Sequence, residues 1–162
     1  MEKILVLSDS HSALNFMFQA VDFVEPDALI HLGDYYDDGE ALAEQFPEIP
    51  FYQVPGNCDL YRCDPSVPLI LTEEVCGVRL YMTHGHCHDV KKTSCILEQD
   101  ARKAGAQAAL YGHTHIPDCR YEDGMWILNP GTCGYGSRTG AVIQTEDGKI
   151  ISCQIIHEED FI

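Results

Sequence analysis

Five short polar groups each follow an apolar run: Asp9-Ser10-His11, Gly33-Asp34, Gly56-Asn57-Cys58-Asp59, His84-Gly85-His86 and Gly112-His113-Thr114-His115. Their carboxylate, amide and imidazole donors suit first-row divalent ions such as manganese, iron, zinc, cobalt or nickel. An oxygen-only magnesium or calcium site would not need so many histidines. Residues two apart on extended backbone face the same way, so Asp9 with His11, and His113 with His115, are expected to offer paired donors to one point. Glycines beside the donors permit tight turns and close backbone approach. The pattern points to a divalent-metal site assembled from several strand ends.

The elements that must position these donors can be read from apolar spacing. Lys3–Ser8 reads as a strand and Ser12–Val24 as a helix, with Leu14, Phe16, Met17, Ala20, Val21 and Val24 at helical spacing and Ser12 as its cap. Ala28–Leu32 is a second strand, Asp38–Phe46 a short acidic helix capped by Asp37 or Asp38, and Pro50–Val54 a third strand closed by Pro55-Gly56. This βαβαβ order predicts a parallel sheet with right-handed crossovers. Leu69–Val75 and Val78–Thr83 then flank Cys76-Gly77 as a hairpin, Lys92–Lys103 is a helix and Ala108–Tyr111 a buried strand. Arg120–Glu122, Trp126–Leu128, Gly140–Thr145 and Ile150–Ile156 complete a strand-rich half, with Asp123-Gly124 and Asp147-Gly148 as tight turns. No repeat or linker divides residues 1–162, so a single domain of two packed sheets with flanking helices is expected. Ligands of α/β sheets bind beyond the carboxyl ends of strands, where the five groups can meet in one crevice.

The 162 residues carry 26 Asp and Glu against 10 Lys and Arg, a formal net charge of −16 with histidine neutral. Such a charge opposes binding of long nucleic acids and adhesion to anionic membranes. Apolar runs are strand-sized, which excludes a transmembrane helix or signal-peptide core and makes the cytoplasm the expected location. The 8 cysteines form no Cys-x-x-Cys pair. They read as reduced thiols, several buried as small apolar residues, Cys58 and Cys87 included. His31 reads as a packed, hydrogen-bonded strand residue, His88 and His157 as surface residues, and His157-Glu158-Glu159-Asp160 as a solvated end. Gly131-x-x-Gly134-x-Gly136 lacks phosphate-loop spacing and reads as a mobile loop.

Taken in order, Asp9-x-His11, Gly33-Asp34, Gly56-Asn57, His84 and Gly112-His113-x-His115 resemble the signature of the calcineurin-like metallophosphoesterase superfamily. The short length, with Gly56-Asn57-Cys58-Asp59, Thr83-His84-Gly85-His86 and Asn129-Pro130-Gly131-Thr132, is similar to its small YfcE-like phosphodiesterase branch; the match runs from Lys3 to about Gly131. The resemblance implies an α/β (α+β) fold, a four-layer αββα sandwich of two mixed β-sheets with flanking helices. It also implies two divalent metal ions, one held by Asp9, His11, Asp34 and His115 and the other by Asp34, Asn57, His84 and His113, bridged by Asp34 and a hydroxide. Manganese is the expected metal, with nickel, cobalt, zinc or iron as alternatives. Two ions roughly 3.5–4 Å apart lower the pKa of bound water and clamp phosphoryl oxygens. The implied reaction is hydrolysis of a small phosphodiester without a covalent phosphoenzyme.

Many members of the superfamily have histidine directly after the metal-binding Asn, where it stabilises the transition state or protonates the leaving oxygen. Cys58 stands there in this chain, as it does in the smaller branch, and a neutral thiol with a pKa of about 8.5 is a poor general acid. His86, two residues beyond His84, is the candidate to bind phosphate or protonate the leaving group, joined in the catalytic set by Asn57 and Asp34. Tyr35 is a candidate for lining the substrate cleft, with Tyr36, Tyr52 and Tyr61 behind it, and Arg138 for clamping a phosphate oxygen. The same site would serve a phosphomonoesterase or a dinucleoside polyphosphate hydrolase. The retromer scaffold subunit, similar in fold but lacking several metal-binding side chains, supplies a non-catalytic alternative, whereas here every ligand position is filled. The expected partner is a small phosphoester, and the sequence carries no signal of oligomeric state.

Overall fold

In the first strand Ile4 and Val6 turn to one side and Leu5 and Leu7 to the other, and all four are fully buried, so the sheet they belong to is covered on both faces. The structure, a computed structural model, describes residues 1–161. Strands β1 (Glu2–Leu7), β2 (Ala28–His31), β3 (Phe51–Gln53), β9 (Thr139–Glu146) and β10 (Lys149–His157) form one sheet in the order β10-β9-β1-β2-β3. In it β1, β2 and β3 run parallel, and β9 and β10 are added antiparallel. The second sheet, β4-β5-β6-β8-β7, contains β4 (Ile70–Val75), β5 (Val78–Thr83), β6 (Ala108–Leu110), β7 (Asp118–Glu122) and β8 (Met125–Asn129). Its centre, β5-β6-β8, is parallel and its outer pairs are antiparallel.

The two sheets face each other through Ile4, Val6 and Ile30 on one side and Leu80, Met82, Leu110 and Leu128 on the other. Outside the first sheet, Leu5, Leu7 and Leu29 pack on Phe16, Met17 and Ala20 of helix α1 (Leu14–Val24) and Leu42 of α2 (Tyr36–Gln45). Outside the second, Tyr81, Ala109 and Ile127 pack on Leu97 and Ala101 of α3 (Cys95–Lys103). The expected four layers, helices–sheet–sheet–helix, are therefore present. Cys76-Gly77, Asp123-Gly124 and Asp147-Gly148 all have positive φ at both residues, which matches the right-handed twist of their hairpins.

The differences lie at element ends. Ser12 does not cap α1: Ala13 precedes the helix, and the Ser12 N–H donates to Asp38 Oδ2 at 2.7 Å. Helix α2 begins two residues earlier than expected, because its first N–H groups are met from outside by Asp59 rather than by Asp37 or Asp38. His88, expected at the surface, is buried, with Nε2 2.9 Å from the Tyr81 hydroxyl and 3.3 Å from Asp100. All eight cysteines are free, but among the described residues only Cys133 is buried; Cys58 and Cys87 are exposed. The acidic C-terminal end docks through Phe161, whose ring lies 5.4 Å from Phe16 and 5.0 Å from Phe23. No described helix is long and apolar enough to cross a membrane.

Candidate metal centre

The donor groups sit on the loops that follow β1, β2, β3, β5 and β6, and the parallel pairing of these strands delivers them to a common edge. The donor pairs do not arise from extended backbone, as their spacing suggested. Asp9, His11, Asp34, His113 and His115 have φ values of 53°, 42°, 56°, 71° and 65°, in the left-handed region. That region costs a non-glycine residue of the order of 1 kcal/mol, less for Asp and more readily tolerated by His than by most. Tight left-handed turns fold the donors back over the strand ends.

Asp9 is fully buried, and its Oδ2 accepts from the Ser8 hydroxyl at 2.6 Å and the His113 N–H at 3.2 Å. Its Oδ1 has no hydrogen-bond partner and faces His115 Nε2 at 3.2 Å and His84 Nε2 at 3.8 Å. Asp34 Oδ1 accepts the Cys58 N–H at 2.9 Å, while Oδ2 lies 3.5 Å from His84 Nε2. His84 is buried with Nδ1 2.8 Å from the Leu32 carbonyl oxygen. A carbonyl only accepts, so Nδ1 donates to it and Nε2 is the ring atom that points at two carboxylates. Lone pairs converging in a buried space repel one another unless a cation lies among them. The buried, unpartnered Asp9 Oδ1, His11 Nε2 and His84 Nε2 therefore fit a metal. The donors fall into two groups, Asp9–His11–His115 and Asp9–Asp34–His84, that share Asp9.

Protonation states agree with this fit. Burial, reinforced by His84, holds His113 at about 4. Burial also lowers His11 against the pull of Asp34 and Asp9, and lowers His86 with help from His84. For Asp34, burial pushes upward, but His84, the Cys58 N–H and thiol, and His11 outweigh it and hold the carboxyl below its usual range. Neutral imidazoles and an ionised carboxylate are the forms that bind cations.

The loops are locked from behind. Gly33, at φ 102°, packs on Gly56 so closely that a Cβ on Gly33 would stand 2.6 Å from the Gly56 nitrogen. Asp59, buried, ties the same loops by accepting from the N–H groups of Asp34 (2.9 Å), Tyr35 (3.2 Å), Tyr36 (2.8 Å) and Gly56 (2.7 Å). A second strap joins the Asp9 loop to α2. The Gly33 N–H donates to His31 Nδ1 at 3.2 Å, which leaves the proton on Nε2 to donate to Ser10 Oγ at 2.9 Å. Ser10 in turn donates to Asp38 Oδ2 at 2.7 Å. His31 is thus the packed, hydrogen-bonded strand residue expected, held by burial at about 4 despite Asp9 and Asp59. The glycine-rich loop is pinned as well: Thr132 Oγ1 donates to the Asp9 carbonyl at 2.8 Å.

Asn57 is exposed on the turn whose next N–H reaches Asp34. The His86 ring lies 5.5 Å from His84 and 6.2 Å from His113, and its Nδ1 is buried without a partner. Tyr35 lies 4.9 Å from His11, beneath the Arg62 guanidinium at 3.7 Å. Arg138 is not brought to the cluster; its guanidinium is 3.9 Å from Glu158. Sequence reasoning passed over Asp59 as a strap and Tyr135, whose ring lies 4.7 Å from His11 and stacks on His115 at 5.6 Å. The loop that carries Tyr135 is pressed against the Asp9 loop, where a Cβ on Gly134 would meet the Ser10 carbonyl at 2.6 Å.

Loops carrying carboxylates and histidines at one edge of a two-sheet sandwich build a donor set for divalent metal. The model of the calcineurin-like phosphoesterase superfamily domain matches residues 2–148, and the chain belongs to that superfamily. It is 32% identical over 155 residues to the probable metallophosphoesterase YsnB of Bacillus subtilis, covering 93% of this chain and 84% of that one. It is 25% identical over 163 residues to a phosphodiesterase of Methanocaldococcus jannaschii, covering 89% and 93%. Among solved structures, a predicted phosphoesterase of Streptococcus pneumoniae superposes with a TM-score of 0.74 at 25% identity over 97% of this chain and 98% of that one. Vacuolar protein sorting 29 of Cryptosporidium parvum reaches 0.73 at 15% identity over 96% and 97%, a likeness of fold alone. Divalent metal ions are the cofactors the family implies, and the donors present fit them.

Proposed function

We propose that the protein hydrolyses small phosphodiesters at a dinuclear metal centre, with manganese as the metal. The observation that carries this reading is the convergence of Asp9 Oδ1 and Asp34 Oδ2 on His84 Nε2 within 3.8 Å, with His115 3.2 Å from the same Asp9 oxygen. Asp9, His11, Asp34 and His115 would hold one ion, and Asp34, Asn57, His84 and His113 the other. Bound there, divalent ions would supply activation of a water nucleophile at neutral pH and charge neutralisation at the phosphate. His84 keeps its Nε2 directed inward through its Nδ1–H bond to Leu32, and the Asp59 strap fixes the Asp34 loop against the Asn57 loop. His86, kept neutral by burial and His84, offers a ring nitrogen to hold the phosphate or leaving oxygen. Two divalent cations outweigh the carboxylates beside them, so an acidic protein can still present a positive crevice to a small phosphoester. The −16 charge of the whole chain disfavours long polyanions and anionic membranes.

The test is a panel of phosphoesters on metal-stripped protein reconstituted with manganese, nickel, cobalt, zinc or magnesium in turn. Bis-aryl phosphates are expected to be hydrolysed in preference to mono-aryl phosphates, and Asp34→Asn to abolish turnover. A strong preference for the monoester would make the protein a phosphomonoesterase. A metal-loaded protein inert on all phosphoesters would instead support a scaffold of the same fold.

A further inference from the structure

The stretch that follows Asn57 is unusually apolar on its outside. Leu60 is 69% exposed, Tyr61 95%, Leu69 43% and Ile70 40%, all close to a highly polar site. Pro55, Leu60, Pro65, Val67 and Leu69 wall a cavity of about 410 Å³, and the same cavity is lined by Asn57 and His86. A substrate phosphorus seated among the donors would therefore have one of its ester groups beside this cavity. Its size falls within the range of about 300–1,000 Å³ usual for small-molecule sites. Both carboxylates on the wall are committed elsewhere: Asp59 to four backbone N–H groups, and Asp64 to the Ser66 N–H and hydroxyl at 2.9 and 2.8 Å. Neither Lys nor Arg lines it. Beyond Asn57 and His86 at its donor end, a second phosphate or a carboxylate would find no cationic side chain there, whereas an uncharged ring would cover Leu60 and Leu69.

We propose that this cavity is the seat of one ester substituent of the substrate, and that the substituent is an uncharged aromatic ring. The assignment rests on the phosphodiesterase reading and narrows its substrate class to phosphodiesters with one aromatic or nucleobase-bearing ester group. Such a ring would lie among Leu60, Val67 and Leu69 while the phosphate stays at the donors.

The test is methyl-resolved NMR of the zinc-loaded protein titrated with methyl phosphate, phenyl phosphate and uridine 5′-monophosphate, which need only bind. Shifts at Leu60, Val67 and Leu69 with phenyl phosphate or the uridylate, absent with methyl phosphate, are expected. A response to phenyl phosphate alone identifies a directly attached aryl group, and a response to the uridylate a nucleobase. Equal responses to all three ligands, or none at these methyls, overturn the assignment. In turnover, the exposed-site variant Leu60→Ser/Leu69→Ser should reduce the preference for aryl over methyl esters about tenfold, as loss of one buried apolar contact surface predicts. A variant that slows both esters equally also overturns it. Ring-dependent shifts without hydrolysis of any ester would sink the phosphodiesterase reading, and with it the substrate role of the cavity, leaving a ring-binding cavity alone. Hydrolysis without ring-dependent shifts would overturn the cavity assignment and leave the phosphodiesterase reading standing.

Discussion

His84 and His86 are two residues apart, yet their surroundings divide their work. The Nδ1 of His84 is bound to the Leu32 carbonyl and its Nε2 faces carboxylates, whereas the buried Nδ1 of His86 has no partner and its ring borders the open cavity. His86→Ala should lower turnover by roughly a hundredfold, at the lower end of what a positioned proton-transfer or hydrogen-bonding group supplies. Bound metal, measured by elemental analysis, should stay unchanged, and an unaltered kcat would remove His86 from the reaction. Donor identity was legible in the sequence because carboxylates and imidazoles at strand ends form a pattern of residue types. Tyr135 was not legible, because ring stacking on His115 depends on a loop returning from the far end of the chain. The pairing of His113 with His115 was expected for the wrong reason, since positive φ rather than extended backbone turns both toward the site.

At the level of elements, the straps behind the loops decide how well the donors are held. Asp59→Asn places an NH2 group against backbone N–H donors in a buried site. It should cost about 1–3 kcal/mol in urea unfolding. Metal affinity should fall roughly 10–100-fold in a chelator competition, as for other groups that orient ligands from behind. His31 offers a pH-dependent test. It is fully buried, with a folded pKa of about 4 against an ordinary 6.5, so the unfolded chain binds the proton more readily. Its stabilising contribution is complete above pH 6.5 and erodes as pH falls toward 4, by about 3 kcal/mol. In chelated protein, His31→Gln should flatten this acid loss by about one proton in urea titrations at stepped pH; a variant as acid-sensitive as the parent contradicts it. Strands were readable because the short, nearly unbroken apolar runs of β1 and β5 are what strands buried on both faces require. The start of α2 was misplaced because its first N–H groups are met by a residue more than twenty positions downstream, a contact no local window contains.

For the whole molecule, metal and fold are linked. Asp9, Asp34 and His84 are buried facing one another, so an ion that binds only the folded chain removes their mutual repulsion. An ion present at a hundred times its Kd contributes about 2.7 kcal/mol, equivalent to about 5–10 °C in Tm for a domain near this size. Exhaustive chelation should lower Tm by that amount and manganese should restore it; equal Tm with and without metal would refute the linkage. The backbone of the donors has a further consequence over evolutionary time. At Asp9, His11, Asp34, His113 and His115, glycine would relieve a left-handed conformation that the present residue occupies at a cost. Stability alone thus pulls these five positions away from metal binding. Replacing these ligands by glycine would therefore cost the metal site while easing the backbone that carries it.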